Sequence, residues 1–387
     1  MSHSRSNSVE RTKKVSKTDR SDKSTKTHKK NNSEGDLSEV AETLDAAVEE
    51  IDLYETKLDI QCKLHVPEDP VGFHLELYGK HVDHSVVNAV RRAIMSYVPI
   101  YGFPKKLIKF TRHSTMYNHD KLAGHIEMIP IYDVDNDFDL DKEIFMTEQI
   151  LDDLFGTFTK KNYILEELVE EKTDKPLKKI EISTETKNST DKPFFFSTHD
   201  LVLKIDNKVS NIYKKRDPVD LFALRPGEDI VFQAEAVLGI ESFHSIFEAT
   251  TPVYYEEDNR HYHLKFDTLE QLEPMRIFEK ACVILTKKLD HLKSFINQTY
   301  KTEPNTTDVL IDLYGEDDTL GNLLATALQR SSYTTLAFYN IPHPLTKQVI
   351  IEYKVAANSK IKPIELFVTC IDYCKKVIET ILKKARK

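Results

Sequence analysis

At 387 residues the chain is long enough for two or three domains whose cores need no cross-linking. A formal net charge of -9 argues against wholesale wrapping of nucleic acid, and four scattered cysteines (Cys62, Cys282, Cys370, Cys374) make no disulfide framework, which points to a reducing compartment. The amino terminus has no apolar core and no stretch of about 18 apolar residues occurs, so neither a signal peptide nor a membrane span is expected.

Residues 1–34 scatter Arg5, Arg11, Lys13, Lys14, Lys17, Arg20 and further lysines among Ser, Thr and Asn, without an aliphatic pattern able to offset chain entropy. A disordered basic tail is expected, either a solvated extension or a nuclear signal or nucleic-acid tether. Over 35–54 the charge turns acidic while Leu37, Val40, Leu44, Val48 and Ile51 recur at helical spacing, which predicts an amphipathic helix docking on the body or a partner.

From Glu55 the period changes to two. Leu58, Ile60, Cys62 and Leu64 alternate with polar residues, as do Val71, Phe73, Leu75 and Leu77 beyond Pro67 and Pro70, predicting two half-buried strands. A helix from Ser85 follows, with Val86, Val90, Ile94 and Tyr97 on one stripe and Pro99 beyond its end. The run Leu107 to Thr111 is expected to return to the same sheet, closing the first part of a module over 55–113.

Residues 114–225, rich in Asp, Lys and Thr, read as an inserted domain with long loops. The module's sheet is expected to resume at Asp229 to Leu238, after the turn Arg225-Pro226-Gly227, and to end in a long helix from Pro274 striped by Ile277, Phe278, Ala281, Leu285, Leu289, Leu292 and Ile296, so that 226–300 completes it. Residues 301–387 hold a strand (Val309, Ile311, Leu313), a helix from Thr319, two further strands either side of Ile341-Pro342-His343-Pro344, and a terminal helix opened by Pro363. Each half thus ends in a long amphipathic helix, and two such stripes can bury one another.

One pattern occurs twice. Leu77-Tyr78-Gly79, then Asp83-His84-Ser85-Val86-Val87-Asn88-Ala89-Val90, matches Leu313-Tyr314-Gly315, then Asp317-Asp318-Thr319-Leu320-Gly321-Asn322-Leu323-Leu324. The separation is far beyond a solenoid period of roughly 20–50 residues, so two halves share one plan. Ser85 and Thr319 are cap candidates, and Asn88 and Asn322 are placed to bridge to backbone and fix the approach of strand and helix.

Enzyme chemistry finds no foothold. No phosphate loop, GxGxxG turn, GxSxG elbow or HExxH helix occurs. The acidic run Asp133 to Asp141 imitates a calcium loop, but Phe138 stands where Gly is needed and Ile144 where the bidentate Glu belongs. Cys370 and Cys374, one helical turn apart without further cysteine partners, read as core, and His261 and His263 as a sheet surface rather than a metal or catalytic pair. No catalytic residue, metal or cofactor is expected.

The repeated helices carry a resemblance. Asn88-Ala89-Val90-Arg91-Arg92-Ala93-Ile94 with Val98-Pro99 resembles the signature of the third-largest eukaryotic RNA polymerase subunit, its archaeal D counterpart and the bacterial alpha subunit. Glu316 to Leu324, with Tyr339-Asn340-Ile341-Pro342-His343-Pro344-Leu345, is similar to the small partner, eukaryotic subunit eleven or archaeal L. Ala123 to Ile131 and Leu224 to Glu228 support the likeness, although Gly124-His125-Ile126-Glu127 departs from the usual His-Arg-Leu-Gly run. Two partners normally encoded separately stand in one chain, which resembles the fused subunits of large cytoplasmic DNA viruses.

The resemblance implies an α+β fold of two alpha-subunit-like dimerisation modules, each a sheet plus helices, forming a pseudo-dimer with an inserted second domain in the first half; exchange between chains stays open. It implies pairing through Val86, Asn88, Val90 and Ile94 against Leu320, Asn322, Leu323, Leu324 and Leu328. Arg91 and Arg92 point off the stripe, either toward an acidic patch on one of two large catalytic subunits or into solvent, and His343 and Pro344 would face the same subunits; these, with small polymerase subunits, are the expected partners. DNA is met only through the complex, and no membrane is involved. Many relatives hold a metal through cysteines in the insertion; this insertion has none, so none is carried over. The expected role is a non-catalytic assembly platform, in virion and host cytoplasm if viral and otherwise in the nucleus. The alternative is a nucleic-acid-binding module acting through the basic tail.

Overall fold

The computed structural model describes residues 50–67, 69–134, 158, 178–258, 260–300, 307–343 and 346–387. The expected basic tail, residues 35–49 of the expected amphipathic helix and most of the acidic run lie outside the described residues.

In chain order, the first half opens with β1 (Gln61–His65), β2 (Gly72–Tyr78) and α1 (His84–Ser96). The middle follows with β3 (Ile100–Gly102), β4 (Ile108–His113), α2 (His119–Glu127), β5 (Ile180–Lys187), β6 (Phe194–Ser197), β7 (Val202–Ile205), β8 (Lys208–Ser210), β9 (Asp220–Leu224), β10 (Asp229–Glu235) and β11 (Val237–Gly239). Then come β12 (Tyr254–Asp258), β13 (His261–Asp267) and α3 (Pro274–Thr299). The second half is β14 (Asp308–Tyr314), α4 (Asp318–Gln329), β15 (Thr334–Asn340), β16 (Gln348–Val355) and α5 (Pro363–Ala385).

The two halves repeat one topology. β2, β13 and β12 lie side by side as β14, β16 and β15 do, in the order first, third, second, with β1 added outside β2. Equivalent residues hold equivalent registers: Leu77 faces Tyr262 and Leu75 faces Leu264, as Leu313 faces Val349 and Ile311 faces Ile351. The alternation that made these segments strands buries Phe73, Leu75 and Leu77 on one face and leaves His74, Glu76 and Tyr78 on the other. Gly79 and Gly315 follow the first strand of each repeat with φ of +124° and +79°, a conformation that glycine adopts at no steric cost. Both long helices open on a proline at the first turn, where the missing N–H costs nothing.

Two segments differ from expectation. Leu107 to Thr111 and Asp229 to Leu238 do not rejoin the first module's sheet. Instead β4 and β10 pair with each other, and β10 with β5, in a five-stranded sheet β4-β10-β5-β7-β8. Its core, including Phe103, Ile108, Leu122, Ile182, Phe196, Leu224 and Phe232, is separate from the main one, so the inserted unit's core reaches beyond 114–225 on both sides. Alternation marks a half-buried strand but carries no information on which sheet it joins. The strands that complete the first module are β12 and β13.

At the start of the described chain, Ile51 bridges Ser331 in parallel and Leu53 lies in a turn, so the expected helix over 35–54 does not include these residues. Both side chains are buried in the main core. Their spacing of two serves a strap that runs into a turn rather than a helical face.

Candidate pairing interface

Each short helix begins on an aspartate. Asp83 has extended backbone angles, and its Oδ1 accepts from the amides of Ser85 at 2.9 Å and Val86 at 3.1 Å. Asp317 does the same for Thr319 at 2.8 Å. Ser85 and Thr319, the expected caps, sit two residues inside: Ser85 Oγ donates to Asp83, and Thr319 Oγ1 accepts from Arg92 Nε at 2.7 Å. An N-cap must leave the helical region while its side chain reaches back, and it is the aspartates that have those angles.

α1 and α4 pack against each other, α3 against α5, and each short helix against its own module's long one. Val86, Val90 and Ile94 of α1 and Leu320, Leu323, Leu324 and Leu328 of α4 are all buried in one continuous core that spans both halves. Among the described residues, Asn88 and Asn322 make no hydrogen bond to strand backbone. Asn88 Oδ1 accepts from Arg91 Nε at 2.9 Å and Asn322 Oδ1 from Thr326 Oγ1 at 3.3 Å, both within their own helices. The approach of strand to helix in the second module depends on Gly321 instead. A Cβ there would stand 2.7 Å from the Tyr339 ring and 2.8 Å from Val349.

Polar contacts cross the seam reciprocally. Arg92 of α1 donates to Asp317, the cap of α4, at 2.7 Å; Arg330, ending α4, donates to Asp83, the cap of α1, at 2.5 Å and to the Lys80 carbonyl at 2.7 Å. Each helix N-terminus, rich in unsatisfied N–H groups, thus carries an aspartate held by the other helix's arginine. Burial works to lower the Arg92 pKa, but Asp317 outweighs it and the value is raised.

The long helices repeat the device. Asp290 and Lys293 of α3 are spaced as Asp372 and Lys375 of α5 are; Lys375 meets Asp290 at 2.7 Å and Lys293 meets Asp372 at 2.7 Å. Exposed pairs of this kind add little stability, but the crossed arrangement fixes register between the modules.

Beneath these lies a buried pair. Lys288 of α3 stands 3.0 Å from Glu316 in the second module's turn, with side chains 2% and 0% exposed, and its ammonium sits 4.5 Å above the Tyr97 ring. Burial, opposed by Lys288, pushes the Tyr97 hydroxyl up to about 12.

The strap adds further ties. Ile51 N–H donates to the Arg330 carbonyl at 2.9 Å, Tyr333 OH to Asp52 at 3.1 Å, and Lys376 to the Glu55 carbonyl at 2.8 Å. Lys384 reaches the Ile60 carbonyl.

Of the residues expected to face large partners, Arg92 is engaged across the seam, and Arg91 is bonded to Asn88 and to the Val253 carbonyl at 3.3 Å. His343 is exposed in the turn after β15, and Pro344 lies outside the described residues. Cys370 and Cys374 are buried in the core, Cys370 Sγ lying 3.7 Å from the Leu324 carbonyl. His261 and His263 are both on the outward face of β13.

The sequence places Asp83 and Asp317 in the repeat and Glu316 in the motif of the second half, but gives none of them a role in capping or pairing, and it does not single out Arg330 or Lys288. Three signals were present: the aspartate before both Ser/Thr positions, the glutamate directly before the second one, and a lysine standing on an apolar stripe three residues after Leu285.

The family model of the RNA polymerase Rpb3/Rpb11 dimerisation domain matches residues 76–289, and a second model of the same description matches residues 308–384. The chain belongs to the Rpb3/Rpb11 dimerisation family of RNA polymerase. It is 40% identical over 331 residues to R470 of Acanthamoeba polyphaga mimivirus, which is named for a DNA-directed RNA polymerase subunit, covering 84% of this chain and 92% of that one. Its second half is similar to the DNA-directed RNA polymerase subunit Rpo11 of Saccharolobus shibatae, 38% identical over 72 residues, covering 19% of this chain and 74% of the archaeal one. These likenesses support an RNA polymerase subunit in which both Rpb3/Rpb11-type domains form a pseudo-dimer within one chain.

Proposed function

We propose that this chain is the non-catalytic assembly platform of a multisubunit DNA-directed RNA polymerase, on which the two large catalytic subunits and small polymerase subunits dock. The observation that carries the reading is the seam itself: a continuous core with crossed arginine–aspartate pairs and a buried lysine–glutamate pair joins both dimerisation modules. Such a body offers partners one composite surface without first paying for subunit association.

Docking is assigned to the second module's outer face and to His343 in the turn after β15, with Pro344 following it in sequence. β15 is an edge strand, with Leu336 50% and Phe338 42% exposed, and Leu310 of the other edge strand points to the same side. An exposed apolar edge invites pairing and is ordinarily covered. DNA is reached only through the complex. The mimivirus relative favours a viral polymerase, working in virion and host cytoplasm. Leu336→Glu with Phe338→Glu tests the face: the full-length variant should fold as the parent does and lose a large subunit on co-expression. Undiminished binding would overturn the assignment.

A further inference from the structure

The outward face of the first module's sheet gathers histidines. His65 on β1 and His74 on β2 are directly opposed, and His263 on β13 is opposed to Glu76, the next outward residue of β2 after His74. Three neighbouring strands therefore deliver imidazoles to one spot. One ring nitrogen from each of His65, His74 and His263 lies within 4.8 Å of the other two.

Two features exceed a chance meeting of polar residues on a sheet. His74 Nε2 lies 3.2 Å from His263 Nδ1. The two nitrogens share a hydrogen bond, and those held at about 2.0–2.1 Å by a tetrahedral Zn²⁺ stand roughly 3.4 Å apart, so an ion that displaces the shared proton finds the pair near ligand spacing. Glu76 supplies the second feature: its carboxylate accepts from His65 Nε2 at 3.0 Å and from His261 Nδ1 at 3.0 Å. A carboxylate that takes one ring N–H leaves the other nitrogen as a lone-pair donor and fixes the ring, the usual support of a metal-bound histidine.

The surroundings are compatible with a cation. Lys265, the cross-strand neighbour of His74, is drawn aside by Glu256 at 2.9 Å. His65, His74 and His263 are half-buried on the outward face, and the His65 and His74 rings, stacked at 4.3 Å between centroids, turn to share an ion. His261 stands apart, stacked on Tyr78 at 4.4 Å between ring centroids.

We propose that His65, His74 and His263 bind a divalent transition metal of the zinc class, with Glu76 orienting His65 and water completing the coordination. Imidazole nitrogen suits Zn²⁺ and its neighbours rather than Mg²⁺ or Ca²⁺, which prefer oxygen. The ion clips the edge strand β1 to β2 and β13. β1 also touches α5, Cys62 Sγ lying 3.8 Å from the Ile381 carbonyl, so the same clip steadies the passage into the second module. This site is independent of the proposed docking role.

The test titrates ZnCl₂ by calorimetry into the full-length chain, purified without a histidine tag. One equivalent should bind at micromolar affinity or tighter. His74→Gln and His263→Gln should each abolish that site, Glu76→Gln should weaken it about 10–100-fold, and His113→Gln in the inserted unit should leave it unchanged. Failure of the parent chain to bind one equivalent, or binding that survives both histidine substitutions, overturns the proposal. Should the variants not fold, Co²⁺ in the parent chain decides: visible bands of a nitrogen-ligated tetrahedral ion displaced by Zn²⁺ support the site. Thiolate charge-transfer bands, pointing to Cys62, contradict it.

Discussion

Lys288 of α3 and Glu316 of the second module's turn face each other at 3.0 Å, both almost wholly out of water and each from a different half of the chain. Burial favours the neutral lysine, but Glu316 outweighs it and holds the ammonium above its ordinary pKa. Neither partner can be removed alone without stranding the other away from water. Glu316→Leu should cost about 3–5 kcal/mol, whereas Lys288→Met with Glu316→Leu should recover most of that loss. Denaturant unfolding of the two single variants and the double variant measures the coupling; additive losses would show that the two residues do not act as a pair.

Asp317 gives the seam an acid sensitivity. Burial works to raise its pKa, but hydrogen bonds from Thr319 and the charge of Arg92 outweigh it, and the carboxyl is held below its usual value. A depressed carboxylate stabilises fully above its unfolded pKa of about 4, and that contribution disappears as pH falls through the lower folded value. Asp317→Asn should therefore be less stable than the parent at neutral pH and lose less on acidification below about pH 4. Urea unfolding across a pH series reads both slopes, and identical slopes would remove Asp317 from the account.

Gly321 is the close-packing point of the second module. Alanine is the better helix former by about 1 kcal/mol, yet its Cβ would press on the Tyr339 ring and Val349. Gly321→Ala should be net destabilising, by about 1–3 kcal/mol, with a lowered melting temperature. A raised one would mean that strand and helix separate without cost.

Much of the fold was legible because the repeat was in the sequence: Leu77-Tyr78-Gly79 and Leu313-Tyr314-Gly315 end equivalent strands, and the stripes of α1 and α4 marked the buried faces. The sheet partners of β4 and β10 were not legible, because period-two alternation is local and strand pairing is not. Residues 51–53 misled because three helical turns of apolar spacing upstream carried the reading through to Ile51, which serves a strap. The candidate site was legible in its apolar half only. Its polar half depends on pairs such as Arg330 with Asp83 and Lys288 with Glu316, whose partners are set by tertiary contact. The histidine cluster was split for the same reason: His261 and His263 are neighbours in sequence, but His263 groups with His65 and His74.

Leu324 of α4 is fully buried in the core that both halves share. Leu324→Asp places an unpaired carboxylate in the shared core and should cost several kcal/mol, exposing both modules to limited proteolysis at concentrations where the parent resists. Unchanged protease resistance would mean that this face is not where the halves meet.

The most direct measurement is co-expression of the full-length chain with the two large polymerase subunits, followed by purification through the chain at high salt. The expected result is a stable complex holding one copy of each, which Leu324→Asp fails to form. Recovery of the parent chain alone, folded and monodisperse with neither large subunit bound, would contradict the account.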